Sequence, residues 1–413
     1  MSEKVKVPYR AAIIGVSGFG HTHYMDLMRE AKDGNCKIIA ATVINQSEEA
    51  EKCARLKEMG AVLYTDYKEM LETHRDEIDL CCVPTGISLH APMSIDAMRA
   101  GANVFVEKPV AATIQEVARM KDVEKETGKF CAVGYQHIYQ PNTRQVKEFI
   151  LNGGIGKLRS IRVKGLWPRN ENYYNRNNWA GSLKCGDQWV LDSPFNNALA
   201  HYLNLACFLA GETFGESAKV KGVKAELYRG NKIESADTAC IKVYTTNDVE
   251  ILFIVSHCTS SLDGPDFHII GDEGTLDSKH DSWTGIDRNG GKVNYPTVEN
   301  RNDFRKWIFE SVKQRLLDDN AFYCNLEIAG TQTLCANGAH ESSPVHQLPS
   351  DICNRIPSDD DSFYTVVDGI DSAIEKCYDE GLMFSEIGLD WAVPGVYIDL
   401  TGYSRFEGGR CLV

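Results

Sequence analysis

A predicted helix near the middle of the chain carries three polar side chains whose spacing suits proton transfer. Asn197, His201 and Asn204 are four and three residues apart, so they share one face of a helix predicted over Pro194–Ala210. The rest of that helix is rich in Leu, Ala and Phe, and such a polar stripe is typical of a helix that lines a cleft. The ordinary pKa of histidine, about 6.5, lets His201 take or give a hydroxyl proton near neutral pH. A buried histidine that packs between domains is the alternative interpretation.

Asp192 precedes the same helix and is a second candidate for the site. An amide cannot act as a base, so Asn197 can only orient the substrate or His201. If the chemistry needs a carboxylate, Asp192 is the nearest one just before the helix. A helix N-cap is an equally compatible role, because an aspartate side chain accepts hydrogen bonds from the first N–H groups of a helix.

Lys108 is a third candidate for chemistry. The segment Glu107-Lys108-Pro109 follows a buried strand predicted over Asn103–Val106. Ligands of open α/β sheets bind at the carboxyl ends of the strands. A lysine at that edge can donate a hydrogen bond to a substrate hydroxyl and hold its oxygen while a hydride leaves. Taken alone, a surface lysine at a strand end is the simpler interpretation.

A segment rich in aromatic, Arg and Asn residues, 166–180, precedes the helix and is a candidate substrate surface. Aromatic faces stack on sugar rings, and Arg and Asn side chains bind hydroxyls or carboxylates. A packed loop or a contact between subunits explains the same composition. The residues predicted to contact the substrate are Tyr135, Trp167, Arg169, Trp179, Asn197 and His201.

A glycine-rich turn between a strand and a helix near the start of the chain suits a dinucleotide. Gly15 permits a tight turn, a small residue at Ser17 lets the backbone approach a pyrophosphate, and Gly20 permits close packing of helix on strand. The pattern is imperfect because Ser17 stands where a glycine is expected, and a turn without a ligand is the alternative. The turn residues predicted to bind NAD or NADP are Gly15, Ser17, Gly18, Phe19 and Gly20.

The residues after the second predicted strand leave the form of the dinucleotide open. An acidic residue expected there would bind the ribose hydroxyls, but the position falls near Ile44, Asn45 and Gln46. Asn45 can still hydrogen-bond a 2′-hydroxyl, and it repels a 2′-phosphate less than a carboxylate does. The sequence therefore predicts a nicotinamide dinucleotide without deciding between NAD and NADP.

The elements that must position these residues change character along the chain. In the first third, continuous apolar strands alternate with helices, which indicates a parallel sheet covered on both faces. Later strands alternate in polarity and are typical of an antiparallel sheet. We therefore predict an α/β fold class, with a doubly wound Rossmann domain over 1–134 and an α+β domain with a large, mostly antiparallel open sheet over 135–413. Late helices are predicted at 301–317 and 362–380, with a surface loop over about 338–361.

Composition excludes several classes of protein. The 413 residues are too many for one ordinary core, which agrees with two domains. A formal net charge of -14 disfavours nucleic acid, and the chain contains no apolar run long enough for a membrane span, so we expect neither partner and a cytoplasmic protein. The 14 cysteines form no CxxC pair, so we expect neither a metal site nor a disulfide framework. Since an open sheet face must be covered, we expect a homodimer or homotetramer.

Several motifs, in this order and spacing, give the chain a specific resemblance. They are IIGVSGFGHTH at 13–23, VPTGISLHAP at 83–92, AGANVFVEKPVA at 100–111, GYQ at 134–136, NGGIGKL at 152–158 and HYLNLACFLAG at 201–211. The chain resembles the Gfo/Idh/MocA family, which is named after glucose–fructose oxidoreductase and inositol dehydrogenase. Beyond about residue 210 the resemblance is general. It implies a Rossmann domain, a second domain with a large open sheet, and redox chemistry on a sugar, cyclitol or related carbinol.

The resemblance also assigns roles to single residues. It matches the family's lysine to Lys108 and its helix histidine to His201, and it places Pro84, His90 and Glu107 on the cofactor side. Two acidic positions of the family's helix fall on Asn197 and Asn204, which are departures. We therefore take Lys108, His201, Asn197 and Asp192 as the predicted catalytic set, with Gly15, Ser17, Gly18, Phe19, Gly20, Asn45, Pro84, His90, Glu107 and Lys108 around the cofactor.

Three hypotheses for function follow. The first is an NAD(P)-dependent oxidoreductase that transfers hydride between nicotinamide and a hydroxyl or keto carbon of a sugar, cyclitol or sugar derivative. The second is redox-assisted glycoside hydrolysis or elimination with a tightly bound, recycled NAD, because an Asn at position 197 departs from the family's aspartate. The third is a nucleotide-sensing protein without activity, which the presence of both Lys108 and His201 disfavours.

Overall fold

The computed structural model describes residues 5–279, 281–297 and 304–412. The helices within these ranges are α1 Gly20–Lys32, α2 Ala50–Glu58, α3 Tyr67–Thr73, α4 Ile87–Arg99, α5 Ile114–Thr127, α6 Pro141–Leu151, α7 Glu171–Asn175, α8 Ala200–Leu209, α9 Phe304–Leu317, α10 Leu326–Ser342 and α11 Ile370–Glu380. No described helix is both long and apolar enough to cross a membrane.

The strands fall into two sets along the chain. The first set is β1 Tyr9–Ile14, β2 Cys36–Thr42, β3 Val62–Tyr64, β4 Leu80–Val83, β5 Asn103–Val106 and β6 Cys131–Val133. The second set is β7 Leu158–Leu166, β8 Lys184–Cys185, β9 Gln188–Trp189, β10 Val220–Arg229, β11 Thr238–Thr245, β12 Glu250–Ser256, β13 Asp263–Gly271, β14 Thr275–Lys279, β15 Ser282–Ile286, β16 Lys292–Tyr295, β17 Val345–Gln347, β18 Cys353–Pro357, β19 Phe363–Val367 and β20 Ile398–Asp399.

The chain divides into two compact units. The described residues of the first are 5–111, 115–139 and 304–329, and those of the second are 112–114, 140–279, 281–297 and 330–412. The first unit therefore takes most of the segment predicted as the Rossmann domain and adds α9 from far along the chain.

The first unit contains the predicted parallel sheet, with strand order β3-β2-β1-β4-β5-β6. Its central strands β4 and β5 are buried at every residue, as expected for strands covered on both faces. The order reverses between β1 and β4, which is where open α/β sheets bind ligands. The sequence interpretation missed β3 and α3, since β3 has only three residues and one of them is buried.

The second unit is built on a ten-stranded mixed sheet. Most neighbouring strands are antiparallel, as predicted, but β7 pairs with β12 and β10 with β17 in parallel. Side chains alternate between the two faces of a strand. Gly165 of β7 lies under Leu199, at the start of α8. The next residue, Leu166, belongs to the core cluster that includes Ile374 of α11. Helices α8 and α11 therefore cover opposite faces of the central strands.

Three local predictions were wrong. The helix predicted over 194–210 begins only at Ala200. The helix predicted over 362–380 is strand β19 followed by α11, separated by Gly369, whose φ of +72° is left-handed. The loop predicted over 338–361 contains the end of α10 and both β17 and β18. The last two errors share a cause, because β18 and β19 pair with each other and local polarity does not reveal that pairing.

The covering of the sheet by α11 removes the reason given for oligomerisation. Apolar residues of β7, β10, β11 and β12 pack against α11 and Phe384. Two buried lysines on the same strands pair with carboxylates of this region, Lys164 with Glu375 and Lys242 with Glu386. The chain thus covers this face itself. A homodimer or homotetramer stays a prediction, to be tested by mass measurement in solution.

A buried lysine fixes the end of α8. Lys147 of α6 has no exposed surface, and its ammonium donates to the carbonyl oxygens of Phe208, Gly211 and Glu216. Burial lowers the pKa of Lys147 to about 7. The carbonyls at the C-terminus of a helix have no partner within the helix, so this side chain supplies donors that the helix itself cannot.

Replacing Lys147 by Met should destabilise the protein, because the carbonyl oxygens of Gly211 and Glu216 lose this donor, whereas that of Phe208 keeps the Gly211 N–H. We expect a loss of about 1–3 kcal/mol in the free energy of unfolding, measured by denaturant or thermal unfolding at about pH 9, where the buried Lys147 amine is uncharged and still donates. Lys221→Met, which removes an exposed lysine paired with the exposed Asp248, is the matched control and should change stability little. Equal effects of the two substitutions would contradict the capping role.

Candidate functional site

The predicted dinucleotide turn of the first unit has the backbone that such a ligand needs. Gly15 and Gly18 have φ of +93° and +53°, which favour glycine. A Cβ on Gly20 would lie 2.6 Å from the carbonyl oxygen of Gly15, so no larger residue fits there. Phe19 precedes α1, and no described side chain caps the first N–H groups of that helix. These groups and the open turn fit a pyrophosphate.

Asn45 is held beside carboxylates that the sequence interpretation overlooked. Its side chain lies 3.1 Å from the Ser17 hydroxyl and donates to Glu48 Oε2 over 2.8 Å. Glu49 follows directly and pairs with Lys52 at 2.6 Å, while Lys52 also donates to the Val16 carbonyl oxygen. Two carboxylates, Glu48 and Glu49, therefore lie three and four residues after Asn45, directly before α2.

The carboxylate of Glu107 is the centre of a buried polar cluster behind Lys108. Its Oε2 accepts from the backbone N–H of Lys108 at 3.1 Å. Its Oε1 lies 2.8 Å from Nε2 of His23 and 3.0 Å from Nη1 of Arg305. Arg305 also bonds Asp26. The cluster consists of Glu107, His23, Arg305 and Asp26. Their side chains are at most 13% exposed, so these contacts form away from bulk water.

The charges of this cluster are set by its members. Burial alone would raise the pKa of Glu107, but the hydrogen bond with His23 and the charge of Arg305 bring it well below its ordinary value. Burial, followed by the charge of Arg305, lowers the pKa of His23. His23 is therefore neutral, and its Nε2–H donates to the ionised Glu107. The ionised carboxylate of Glu107 thus fixes the backbone of Lys108 through the hydrogen bond from its N–H.

Arg305 and His23 are the residues that sequence reasoning missed. Arg305 lies 198 residues after Glu107, in a segment predicted to belong to the other domain. His23 is one of two histidines near the start of α1. Its spacing of three residues from Asp26 on α1 was the available signal, because the two side chains share a helix face.

The other predicted residues of the first unit lie at the same edge of the sheet. Pro84 follows β4 and packs against Gly20. His90 is buried, with its two ring nitrogens 2.7 Å from the Pro109 carbonyl oxygen and 3.0 Å from that of Thr85. It therefore positions the segment that carries Lys108, which is itself half-buried. Tyr135 follows β6 and has no exposed surface.

In the second unit, the later start of α8 separates Asn197 from the helix. Asn196 donates to the carbonyl oxygens of Val190 and Leu191, which holds the chain in a turn. The predicted stripe on one helix is therefore reduced to His201, which is half-buried, and Asn204, which is buried.

Asp192 does not cap α8. Its carboxylate accepts from the Gly181 backbone N–H and from the Asn197 amide, each at 2.7 Å. The residue preceding α8 is Leu199, without a capping side chain among the described residues. Of the two roles left open for Asp192, the N-cap is thus wrong. The structure brings Asn197 and Asp192 together as a hydrogen-bonded pair.

The aromatic segment of the second unit is a stack of rings and guanidinium groups. Arg176 lies over the ring of Tyr173 at 3.7 Å and over Trp179 at 5.3 Å. Arg169 lies 4.9 Å from the Tyr173 ring and 5.6 Å from that of Trp167. Such stacking fixes planar groups at defined positions. No cluster of His, Cys, Asp or Glu that could hold a metal occurs among the described residues.

Family models match the two units in order. The model described as "Oxidoreductase family, NAD-binding Rossmann fold" matches residues 9–135, and the "GFO/IDH/MocA C-terminal domain" matches residues 143–277. Together they match more than half of the chain. The chain belongs to the GFO/IDH/MocA oxidoreductase family. The resemblance inferred from the motifs is therefore confirmed.

Curated relatives agree with the family over part of their length. One is the dTDP-3,4-didehydro-2,6-dideoxy-alpha-D-glucose 3-reductase of Streptomyces violaceoruber, 31% identical over 38% of this chain and 45% of the relative. Another is the scyllo-inositol 2-dehydrogenase (NAD(+)) of Bacillus subtilis, 28% identical over 38% and 44%. The alpha-N-acetylgalactosaminidase of Shewanella oneidensis is 31% identical over 36% and 33%. The match therefore spans less than half of each of these GFO/IDH/MocA-like relatives.

A solved structure agrees in fold over most of both chains. The WlbA dehydrogenase from Bordetella pertussis, crystallised with NADH and UDP-GlcNAcA, superposes with a TM-score of 0.64 at 20% identity, over 80% of this chain and 96% of that chain. The predicted fold class, a Rossmann sheet plus a large mostly antiparallel sheet, is confirmed for this GFO/IDH/MocA protein.

Removing Arg305 should destabilise the first unit in a pH-dependent way. Arg305→Met leaves Glu107 buried without its guanidinium partner, while Asp26 keeps its ion pair with Arg29, and we expect a cost of about 3 kcal/mol at pH 7. The pKa of Glu107 is lower in the folded than in the unfolded protein, so its stabilisation is complete above about pH 4.3 and is lost as the pH falls toward the folded-state value. The difference between the two proteins should therefore shrink below about pH 4.

Denaturant unfolding across pH 3–7 measures this difference. Arg99→Met, which removes an exposed arginine paired with Glu126, is the control and should change stability little at any pH. A pH-independent loss in Arg305→Met would show that Arg305 acts through packing rather than through its charge.

Proposed function

We propose that this protein is an NAD-dependent dehydrogenase that acts on a CH–OH group of a sugar, cyclitol or sugar derivative. The observation that carries the proposal is the placement of Lys108. It follows β5 at the carboxyl edge of an NAD-binding Rossmann sheet, and the buried carboxylate of Glu107 holds its backbone N–H at 3.1 Å. Enzymes place reacting groups on rigid supports of this kind.

The residues around the turn support nicotinamide dinucleotide binding. Gly15, Ser17 and Gly18 leave the backbone free to approach the pyrophosphate, and the start of α1 supplies N–H groups. The rest of the proposed cofactor set is Phe19, Gly20, Asn45, Pro84, His90, Glu107 and Lys108. When bound, NAD accepts or returns the hydride of the substrate carbon.

Lys108 and His201 are the proposed proton-handling residues. When the hydroxyl carbon loses its hydride, the hydroxyl proton must leave as the C=O bond forms, and a lysine or histidine can take it. Lys108 would polarise the oxygen, and His201 would exchange the proton with solvent. Asn197 and Asp192 act as positioning residues in this proposal, since the Asp192 carboxylate already accepts two hydrogen bonds.

Replacing Lys108 by Ala should abolish turnover while leaving NADH binding within about twofold, because the side chain acts on the substrate oxygen. Turnover is followed by NADH absorbance, and NADH binding by fluorescence titration. Lys125→Ala, at an exposed lysine of α5, is the matched control and should retain full activity. Undiminished turnover in Lys108→Ala would remove the lysine from the mechanism, and failure of the unaltered protein to bind NADH would overturn the proposed function.

Redox-assisted glycoside hydrolysis is the second candidate, motivated by the partial match to an alpha-N-acetylgalactosaminidase. It predicts release of a free sugar from a glycoside without added NAD and without net NADH. Stoichiometric NADH formation from a free sugar or cyclitol would decide for the dehydrogenase.

We expect the protein to prefer NAD to NADP by about tenfold or more. A 2′-phosphate beside Asn45 would meet the carboxylates of Glu48 and Glu49, and like charges at close range repel. Parallel titrations with NADH and NADPH measure the ratio. The double variant Glu48→Gln, Glu49→Gln should reduce the ratio of NADH affinity to NADPH affinity. Equal affinities for NADH and NADPH in the unaltered protein would contradict the expected preference for NAD.

A further inference from the structure

Arg169 is held in a rigid frame directly after β7. The backbone N–H of Trp167 donates to the Ser256 carbonyl oxygen at 3.0 Å, and that of Arg169 donates to His257 at 3.1 Å. The indole N–H of Trp167 is also engaged, to the Gly264 carbonyl oxygen at 3.3 Å. These bonds extend the pairing of β7 and β12 past the end of both strands. The position of Arg169 is therefore set by the sheet rather than by a free loop.

The guanidinium group of Arg169 has only neutral partners in the described part of the chain, and no carboxylate pairs with it. Its Nε is buried without a hydrogen-bond partner. Its Nη1 donates to the carbonyl oxygen of the preceding Pro168 at 3.3 Å, and its side chain also hydrogen-bonds the Tyr173 hydroxyl. No described carboxylate lies within 4 Å of it, and its closest companions are the rings of Trp167 and Tyr173. A partly desolvated guanidinium without a carboxylate is costly to maintain, which makes it an unusual structural residue.

Arg176, in the same stack, differs from Arg169 because its charge is partly balanced by a carboxylate. It bonds the Tyr173 carbonyl oxygen, lies 3.7 Å over the Tyr173 ring and is 3.9 Å from Asp192 Oδ2. Asp192 is thus already shared between Arg176, Asn197 and Gly181. The stack therefore contains two cations and one engaged anion.

The neighbouring histidine does not supply the missing negative charge. The Nδ1–H of His257 donates to the Trp167 carbonyl oxygen at 2.6 Å. Burial, followed by the charge of Arg169, lowers the pKa of His257 to about 3. His257 is therefore neutral, and the surroundings of Arg169 keep a net positive charge.

We propose that Arg169 binds an oxyanion of the substrate, so that the sugar, cyclitol or derivative on which this protein acts carries a carboxylate or phosphate group. The proposal rests on the proposed function and deepens it. The planar fork of a guanidinium matches both oxyanions and gains strength where water is partly excluded. The Trp167 ring packs edge-on against Tyr202, the residue next to His201, at 6.0 Å between centroids, so the oxyanion subsite and the proposed acid–base residue belong to one structural group.

The test compares anionic sugars with their uncharged parents on the NADH-loaded protein. The probes are D-glucuronate, D-galacturonate, D-glucose 6-phosphate and D-mannose 6-phosphate, each against glucose, galactose or mannose, by isothermal titration calorimetry. We expect at least one anion to bind about tenfold or more tighter than its parent hexose. Preference for the uronates identifies a carboxylate, and preference for the phosphates identifies a phosphate ester. No anion binding better than its parent would overturn the proposal.

Variants separate the subsite from general electrostatics. Arg169→Met should remove the preference for the anion, and Arg169→Lys should retain part of it, since the charge remains without the fork. Arg159→Met, an exposed arginine paired with Asp272, loses the same charge and should leave the preference unchanged. An unaltered preference in Arg169→Met overturns the subsite.

The outcomes distinguish this proposal from the proposed function. NADH binding without any sugar tests the function alone, and NAD-dependent oxidation of an uncharged sugar with a KM that Arg169→Met does not change would keep the dehydrogenase while rejecting the subsite.

Discussion

The ionised carboxylate of Glu107, buried behind Lys108, is the constraint on which the first unit depends. An isolated carboxylate at that depth would take up a proton, and the His23 N–H, the Arg305 guanidinium and the charge of Lys108 keep it ionised. Three separate parts of the chain must therefore converge: the first helix after the glycine turn, the end of β5, and α9. The same carboxylate accepts a hydrogen bond from the Lys108 N–H, so the proposed reactive group is positioned by the contacts that stabilise the first unit.

The parts of the fold that could be predicted are those with a local physical signature. Strands β4 and β5 are buried on both faces, so they form continuous apolar runs in the sequence, and β5 has the predicted bounds Asn103–Val106. The start of α8 could not be predicted, because Asn196 bonds upstream carbonyl groups that only the folded turn brings within reach. Arg305 gave no signal at all, since its partners lie 279 and 198 residues away.

The second unit shows how a large sheet can be enclosed by its own chain. Helix α11 covers one face of the central strands, and it meets both apolar residues and buried lysines there. Lys164 and Lys242 are acceptable on that face only because Glu375 and Glu386 arrive with the covering segment. The sequence showed these lysines as the polar half of alternating strands, which is why the sheet read as open. A strand whose lysines are buried in ion pairs and a strand whose lysines are exposed show the same alternation of polar and apolar residues in the sequence.

The hydrogen bond between Asn197 and Asp192 offers a physical reason for an asparagine at position 197, where the resemblance to the family places an aspartate. An aspartate at position 197 would set two carboxylates 2.7 Å apart, and like charges at that distance force one of them to hold a proton. An amide donates where a second acid would repel. The two positions are therefore linked by charge, so that the residue tolerated at 197 depends on the acid kept at 192. In this chain the carboxylate of Asp192 lies in the loop before α8, and the amide of Asn197 is its hydrogen-bond donor.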